Sequence, residues 1–499
     1  MSQSIRVLPS GWANAQITDF AIMSSGGTPS RKQPSYYDGN IPWAKIGDLD
    51  DGLVRETEET VSDEGLKKSS AKLMPENTLL LAMYGASIGK LGITKIPLST
   101  NQAIACIRPN DEISVEYLFH FFKLSRRDLI KLGQGGAQPN ISQTILKRVL
   151  IPIAPVAEQE RIVDKIDELF SSIEAGERAI EQARAGVSRY RKAILKAAVT
   201  GELTADWRDE NPTKESAKDL LARILTARYE AWEKSELAKL DAKGKPRPDT
   251  EKQWEKFRAR YKPPVEPDLE KLPQLPDSWV WVLSDAVTQV TKLAGFEFTD
   301  FVNYVEDGDL PVVKAGNVAQ NDYNSSEMAK VKSDEVSHLK RSELFGGEIL
   351  MAFVGANLGK VSILPSTEKF FLGPNVAVIR PQAEFLSSQF GATFYQSDFG
   401  FTRLRNSSVG AAQGSISMGR IRNAAIPIMG QEEQAEIVDR VEQAFSKADA
   451  VEATLDAQSR AAKALKQAVL KTAFEGKLVP QNPKDEPASE LLKRIKEET

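Results

Sequence analysis

Two stretches of the chain place apolar or small residues at alternating spacings of four and three positions. This spacing is typical of helices that bury one stripe in a coiled coil. About 40 residues at about 1.5 Å each give a helix of roughly 60 Å, which cannot bury its stripe alone. We therefore expect the two helices to pair with each other; packing on the chain's own domains or on another protein is the alternative. The stripes are Ile162, Ile166, Leu169, Ile173, Gly176, Ile180, Ala183, Val187, Tyr190, Ile194 and Ala197, and then Ile437, Val441, Ala444, Ala448, Val451, Leu455, Gln458, Ala462, Leu465, Val469 and Thr472.

A long internal repeat contains both stretches. The Ile-Pro-Ile motif at 151–153 returns at 426–428, and a similar helix pattern follows each copy. The distance stays at 275 positions, because Pro152, Val163 and Gly201 are matched by Pro427, Val438 and Gly476. A period this long indicates duplicated domains rather than a solenoid, whose repeats span a few tens of residues.

Short apolar and β-branched runs, separated by Gly, Pro, Asn and Asp, precede each long helix and predict strand-rich domains of the α/β (α+β) class. The runs lie at 41–46, 78–83 and 104–107 in the first half and at 310–315, 348–353 and 376–379 in the second. The expected architecture is two similar domains separated by two long antiparallel coiled-coil helices, with a pseudo-twofold repeat. We divide the chain into a first domain (1–155), a long helix (156–204), a charged insertion (205–275), a second domain (276–430), a second long helix (431–479) and a tail helix (480–499).

The insertion is dense in charge and tryptophan, and predicts helices near 214–239 and 251–260, followed by a stiff proline-rich linker at 262–267. Its first residues resemble the C-terminal tail. The insertion is either a docking surface for a partner or a solvated spacer, and the sequence favours neither.

Composition narrows the function classes. The net charge of −4 argues weakly against nucleic-acid binding by bulk electrostatics, although local basic loops remain possible. One cysteine, Cys106, in an apolar run, predicts a small buried side chain without a disulfide or zinc role. Two histidines make a Ser-His-Asp or histidine-based metal site improbable. With no apolar leader or membrane-length run, a cytoplasmic protein is expected.

A glycine loop with a lysine follows a predicted strand in each half, at 85–90 and 355–360. It lacks the spacing and the Ser or Thr of a phosphate-binding P-loop, so nucleotide hydrolysis is not expected. A constant lysine beside a polar residue that differs between the copies suits a loop that holds a DNA phosphate and reads base edges. A hairpin with a merely solvated lysine is the alternative. The candidates are Tyr84, Ser87, Lys90, Asn357 and Lys360.

A second pair of loops, near 133–142 and 410–417, carries the candidates Gln138, Asn140, Gln413 and Ser415. Amide side chains can bond adenine in the major groove, but Asn140 and Ser142 can equally cap the following helix. The remaining DNA-contact candidates are Thr28, Ser30, Arg31, Lys32, Lys45, Lys314 and Asn317. We find neither the cofactor and Asn/Asp-Pro-Pro-Tyr/Phe motifs of a methyltransferase nor the carboxylate cluster of a nuclease.

The chain resembles specificity subunits of type I restriction-modification systems. The resemblance rests on Gly-Gly-Thr-Pro-Ser at 26–30, the run 41–49, the loop 85–90, Asn-Gln-Ala at 101–103, residues 138–142, and Pro152 with Glu158-Gln159 and Ile162-Val163. It implies two target-recognition domains that each read half of a split site in double-stranded DNA, and helices that span the unread base pairs. It also implies two methyltransferase subunits that bind S-adenosylmethionine, and restriction (translocase) subunits, while this chain is non-catalytic and binds no cofactor.

The second half departs from the family pattern, since it lacks the Gly-Gly-Thr-Pro loop and has Gly373-Pro374-Asn375 in place of Asn-Gln-Ala. Three other functions stay open at this point. These are a coiled-coil scaffold that joins two protein-binding domains, the specificity-like part of a type IIG or IIB restriction-methylation enzyme, and a methylase or nuclease with an unrecognised site. Because the loops differ more than the helices, we expect an asymmetric, two-part DNA target.

Overall fold

The computed structural model describes residues 8–133, 139–320, 322–326, 328–365, 368–405 and 414–498. Contacts divide the chain into two compact units, one of Met1–Gln182 with Leu455–Thr499 and one of Ala183–Thr454. Each unit therefore combines a globular domain with segments of both long helices. The linear division expected from the sequence sets the C-terminal residues apart, whereas Phe474 and Leu491 are buried in the core of the first unit.

The first domain is built on a five-stranded sheet, a three-stranded sheet and a two-stranded ribbon. The sheet orders are β2-β9-β6-β7-β4, β5-β3-β8 and β1-β10. The strands are β1 (Ala13–Gln16), β2 (Ala21–Ser25), β3 (Tyr37–Ala44), β4 (Gly52–Val54), β5 (Glu59–Val61), β6 (Leu79–Ala82), β7 (Leu91–Thr94), β8 (Ser99–Thr100), β9 (Ile104–Pro109) and β10 (Leu150–Ile153). The helices are α1 (Asp63–Lys67), α2 (Val115–Leu132) and α3 (Gln143–Lys147).

The first long helix and the insertion follow. The long helix is α4 (Val156–Thr200), and the insertion contains α5 (Ala205–Glu210), α6 (Ala217–Ala242) and α7 (Glu251–Arg258). Residues 261–268 have no helix or strand, in agreement with the predicted proline-rich linker.

The second domain has the sheet orders β12-β21-β18-β19, β16-β13-β20-β17, β14-β15 and β11-β22. Its strands are β11 (Val280–Leu283), β12 (Thr288–Lys292), β13 (Leu310–Val313), β14 (Val318–Ala319), β15 (Asp322–Tyr323), β16 (Ala329–Val331), β17 (Glu343–Leu344), β18 (Ile349–Ala352), β19 (Val361–Ile363), β20 (Phe370–Leu372), β21 (Val376–Pro381) and β22 (Ala425–Ile428). Its helices are α8 (Ser284–Val287), α9 (Gly295–Phe301), α10 (Ser333–Val336), α11 (Ser388–Gln396), α12 (Asp398–Arg405) and α13 (Met418–Arg422). The second long helix, α14 (Gln431–Phe474), and the tail helix, α15 (Ala488–Glu498), complete the chain.

The two domains share a common set of strand pairings, which confirms the predicted repeat. In both, the ribbon pairs the first strand with the last, and a central hairpin (β6–β7 or β18–β19) pairs through its first strand with a later strand, β6 with β9 and β18 with β21. In both, the second sheet holds one parallel pair, β3 with β8 and β13 with β20. The central strands β6 and β18 are buried throughout, which explains why they are continuous apolar runs rather than alternating ones.

Within each unit, α4 and α14 pair with opposite directions. In the first unit, Ile162 and Ile166 share a core with Val469, and further along α4 the carboxylate of Glu177 lies 2.8 Å from Lys466 Nζ. In the second unit, Arg191 contacts Asp449 at 2.6 Å and Glu452 at 3.2 Å, and Leu195 packs in one core with Ile437 and Val441. The predicted pairing of the two helices is therefore confirmed.

The predicted seam is interrupted at several positions in the middle of the helices. Tyr190, Val451 and Leu465 are 44%, 47% and 51% exposed, and Gly176 and Ala183 are exposed as well. Most buried stripe residues lie towards the helix ends, where the domain cores supply additional apolar partners, although Ala448 and Leu455 are also buried, at 3% and 7% exposed. Between those ends, the ion pairs of Arg191 and Lys466 replace apolar contacts.

Among the described residues, no helix is long and apolar enough to cross a membrane.

Candidate nucleic-acid interface

The two glycine loops are tight β-hairpins with the same backbone hydrogen bonds. In the first domain, Ala82 N donates to Lys90 O (2.9 Å) and Gly89 N donates to Ala82 O (2.9 Å). In the second, Ala352 and Gly359 repeat the pattern with Lys360 O and Ala352 O, at 3.1 and 2.7 Å. Gly89 and Gly359 have φ of +79° and +78°, a region that side chains disfavour. A strand follows each loop, not the helix of a P-loop, which agrees with the rejection of that interpretation.

The second loop of each domain joins the hairpin directly. Tyr84 forms an isolated antiparallel bridge with Asn140, and Gly85 N donates to Pro139 O at 2.8 Å. In the second domain, Val354 forms the equivalent bridge with Ser415. Tyr84, Asn140 and Ser415 are exposed beside their hairpins. The structure thus brings both pairs of sequence-predicted loops together, while Gln138 and Gln413 lie outside the described residues.

Ser142, by contrast, does the capping that the sequence allowed. Its Oγ accepts a hydrogen bond from Ile145 N at the start of α3 (3.3 Å), and Ser417 does the same for Arg420 N at α13 (3.3 Å). These serines fix the exit of the second loop and leave Asn140 and Ser415 on its exposed side.

An ion pair holds the first hairpin. Arg126 on α2 binds the Asp51 carboxylate with both terminal nitrogens and donates from Nε to Gly89 O at 2.8 Å. Asp51 in turn accepts from Leu91 N at 3.0 Å. Burial opposes the charged form of Asp51, but the bonds from Arg126 and Leu91 outweigh it and hold the pKa of this carboxyl below its ordinary value. Arg126 and Asp51 thereby fix the position of Lys90.

Different side chains hold the second hairpin. Asn357 donates from Nδ2 to Ala315 O (2.8 Å) and accepts from Lys360 Nζ (2.8 Å). The ring of Phe401 covers Gly359 so closely that a Cβ there would overlap it. The amide of Asn357 is therefore engaged with its own domain, unlike Ser87 at the equivalent position.

Carboxylates neutralise two cations of the first domain. Lys45 Nζ lies 2.8 Å from carboxylate oxygens of both Glu58 and Glu59, and the hydrogen bonds that it donates to these carboxylates raise the pKa of the lysine. Arg31 pairs with Glu59 at 2.7 Å and stacks 4.2 Å from the ring centre of Tyr37. These contacts make Lys45 and Arg31 poorer phosphate ligands than the sequence suggested, whereas Ser30 and Lys32 are exposed.

The equivalent lysine in the second domain has a different environment. Lys314 lies 5.6 Å from the ring centre of Tyr304, and the described residues place no carboxylate within 4.0 Å of its Nζ. Asn317 is only 4% exposed, and its amide binds Lys314 N and Asn324 O, both at 2.8 Å. The burial of Asn317 contradicts the expectation that it contacts DNA, because both polar atoms of its amide are hydrogen-bonded to backbone groups of the turn.

Thr28 is exposed and donates a hydrogen bond to Gln102, which ties the Gly-Gly-Thr-Pro loop to the Asn-Gln-Ala segment. The second domain has helix α9 between its corresponding strands instead. Sequence reasoning missed Asp51, Arg126, Tyr304 and Phe401. For Arg126 the sequence contains no signal, since its carboxylate partner lies 75 positions away.

Two residues of types common in catalysis, Cys106 and His120, are buried in the first domain. Cys106 is buried, and burial raises the pKa of its thiol to about 11. His120 is 5% exposed between Phe119 and Phe170. In the described part of the chain, no three His, Cys, Asp or Glu side chains converge as metal ligands. The exposed chemistry of the site is that of lysine, amide and hydroxyl groups on paired loops.

Comparison with known proteins gives a consistent result. A family model described as the type I restriction modification DNA specificity domain matches residues 9–182 and again residues 288–458. The specificity subunit of the type I restriction enzyme EcoKI from Escherichia coli strain K12 is 24% identical over 98% of this chain and 96% of its own length. The StySPI specificity subunit of Salmonella potsdam is 24% identical with the same coverage. A solved chain from work on the assembly of the type I R-M system has 17% identity, a TM-score of 0.60, and coverage of 94% of this chain and 99% of that one, which shows a common fold.

Proposed function

The chain belongs to the type I restriction-modification DNA specificity family, and from that membership we propose that each of its domains reads one half of a two-part, asymmetric DNA target. As a member, the chain is a DNA sequence-recognition subunit with two recognition domains. The scaffold alternative, two protein-binding domains on a coiled coil, does not fit this membership.

One observation carries the proposal. Each domain presents a glycine hairpin bridged to a second loop on the same backbone frame, but with different exposed residues. Sequence is read by side chains that reach base edges, while phosphate contacts fix register. A common frame with unlike tips therefore supports two readers of the same geometry and different specificity.

The residues we assign to DNA contact follow from their exposure and partners. In the first domain, Lys90 holds a phosphate and Tyr84, Ser87 and Asn140 approach the bases, and the exposed Ser30 and Lys32 provide further contacts. In the second, Lys314 and Lys360 hold phosphates and Ser415 approaches the bases. Gln138 and Gln413 remain predictions. Lysine contacts of this type weaken binding to all sequences alike when removed, whereas base contacts change selectivity.

We also propose that α4 and α14 set the distance between the two half-sites. Two methyltransferase subunits that carry S-adenosylmethionine, together with restriction subunits, supply the chemistry. In this proposal the chain directs the complex to DNA, and the complex acts in the cytoplasm. The antiparallel contacts of the helices within each unit support a stiff spacer, because ion pairs and apolar contacts alternate along them.

The test is selection of DNA from a random library by the complex, followed by sequencing. The parent should select two short motifs separated by a fixed gap. Ser87→Ala with Asn140→Ala should relax one motif only, and Ser415→Ala should relax the other only. Selection of one undivided motif, or equal relaxation of both motifs by either variant, would contradict the proposal.

The spacer is tested separately. Insertion of four residues after Ala183, matched by four after Leu455, adds about one helical turn to each long helix. The expected result is a changed gap with both motifs intact. An unchanged gap would show that the helices do not set the spacing.

A further inference from the structure

The insertion carries a concentrated positive charge. We define the basic arm as residues 234–262, which contain ten Lys or Arg against five Asp or Glu, whereas the chain as a whole has 65 against 69. The arm therefore has a net positive charge, whereas the chain as a whole has a net negative charge. A solvated spacer does not need such a bias.

The basic arm is a folded helical hairpin. Phe257 of α7 is 4% exposed, and its ring centre lies 5.3 Å from that of Trp232, which is on α6 two residues before the arm. Tyr261 lies 5.2 Å from Trp232 and 5.1 Å from Tyr229. An ion pair between Arg260 and Glu236 joins the two helices at the same level. This aromatic cluster fixes α7 against the C-terminal half of α6.

The base of the arm is attached to the second recognition domain within one unit. Leu220 and Ile224, on the first turns of α6, are buried in the core of that domain. Arg228 binds both the backbone and the carboxylate of Asp285, and Arg223 pairs with Glu384 at 2.6 Å. The arm is thus an extension of a domain that reads DNA, rather than a loose linker.

Most lysines of the arm have no carboxylate partner. The acidic groups Glu236, Asp241 and Glu251 are paired with Arg260, Arg247 and Arg258. All residues of the arm are described, and no Asp or Glu oxygen lies within 4.0 Å of Nζ in six exposed lysines: Lys234, Lys243, Lys245, Lys252, Lys256 and Lys262. The internal ion pairs therefore fix the arm's shape and leave its lysines to face outward.

We infer that the basic arm contacts the DNA phosphate backbone without reading sequence. Lysines that neutralise phosphates release counterions, and this contribution to affinity does not depend on the bases. An acidic protein surface is the other polyanion to consider. It is disfavoured because protein interfaces are depleted in lysine and rely on apolar anchors, and the fully described arm has no large apolar side chain among the exposed ones. The inference rests on the DNA-recognition function of the chain.

The test neutralises four lysines, Lys243→Gln, Lys245→Gln, Lys252→Gln and Lys256→Gln, in the assembled complex. Affinity for a target duplex and for a non-target duplex is measured over a range of salt concentrations. Four lost phosphate contacts should reduce the slope of log affinity against log salt by about 3 to 4 and weaken binding to both duplexes by about tenfold or more. The ratio of the two affinities should not change. The control variant neutralises four exposed lysines elsewhere, at Lys447, Lys463, Lys484 and Lys493, and should leave the slope near the parent's.

The other outcomes overturn the inference. An unchanged slope with loss of a partner subunit in analytical ultracentrifugation would make the arm a protein-docking surface. A reduced affinity for the target alone would make it a reader of bases. An equal change of the salt slope in the control variant would show that the effect comes from the net charge of the protein and not from the arm. If the parent itself showed no preference for any target, the proposed function would fail, while the salt slopes would still decide the role of the arm.

Discussion

The first turns of the two long helices both carry a Glu-Gln pair, Glu158-Gln159 and Glu433-Gln434, but the two glutamates have different surroundings. Glu433 accepts hydrogen bonds from Trp279 (2.8 Å), Thr204 (2.9 Å) and Arg208 (2.9 Å). Its equivalent, Glu158, is 1% exposed beside Trp12, and its Oε1 has no hydrogen-bond partner in the described part of the chain. We call these two glutamates the anchors. Glu433 belongs to a hydrogen-bonded network that includes a cation, whereas Glu158 is a buried carboxyl with few contacts that offset its burial.

The same contrast separates the two hairpins. Their backbones form matching hydrogen bonds, but an Arg126–Asp51 ion pair supports one, and Asn357 with Phe401 supports the other. The main chain and its glycines therefore carry the common frame, because a backbone hydrogen bond does not depend on the side chains around it. Side chains that support the frame are free to differ, and so are those that we propose to contact DNA.

Removing the charge of each anchor should produce the largest difference between the units. Glu433→Gln keeps the size of the side chain but leaves Arg208 without its anion, in a site where Glu433 is 7% exposed and Arg208 is 19% exposed. We expect a loss of about 3 kcal/mol in the free energy of unfolding of the second unit. Glu158→Gln removes a poorly compensated carboxyl and should leave stability unchanged or raise it slightly. Differential scanning calorimetry of both variants measures this; similar losses would show that the two anchors are equivalent.

Substitution of the hairpin glycines should show how well each of the two hairpins tolerates a side chain at this position. Gly359→Ala forces a side chain into positive φ and into the ring of Phe401, and should cost about 2 kcal/mol. Gly89→Ala has the same backbone strain, but its Cβ would meet the Arg126 side chain at 3.0 Å, which can shift, so we expect about 1 kcal/mol. Thermal unfolding followed by circular dichroism ranks the two variants. The reverse order would mean that Arg126 is held more firmly than Phe401.

Loosening the ion pair should affect one reader only. Arg126→Met keeps the packing on Gly89 but removes the bonds to Gly89 O and Asp51, so Lys90 is no longer held in place. We expect about tenfold weaker binding, or about 1.4 kcal/mol, to targets that contain the first half-site, with relaxed selection at that half-site alone. Arg126→Lys should restore part of the affinity. An equal change at both half-sites would mean that Arg126 acts on overall stability and not as a positioning residue.

The sequence was sufficient where local periodicity decides the structure. The heptad spacing predicted α4 and α14, the apolar runs predicted β6, β9, β18 and β21, and the charged insertion predicted α6 and α7. The loops around Tyr84 and Asn140 were also recognised, because both halves of the repeat carry them, but the bridge that joins them was not predicted.

The remaining features depend on contacts between distant positions. Neutralisation of Lys45 needs β3 beside the acidic strand β5, and the turn at Asn317 buries a residue type that is usually exposed. The exposure of single stripe residues cannot be predicted from periodicity either, since Tyr190 and Leu465 fit the heptad as well as the buried positions do. Pattern assigns a residue to a face of a helix, but only packing decides whether anything covers that face.

The smallest expected effect is a pH dependence of the free energy of unfolding that comes from Glu158. Burial raises the pKa of Glu158 above its ordinary value of 4.5, and Trp12 and Arg161 offset this only in part. The folded chain then binds more protons than the unfolded chain between those two pKa values, so this group makes stability fall as pH rises through that window. Glu158→Gln should remove this slope, and its stability relative to the parent should increase with pH above about 4.5 and level off beyond the folded pKa. Urea unfolding of the parent and the variant at a series of pH values measures the difference; a constant difference would show that Glu158 has the same pKa in the folded and the unfolded chain.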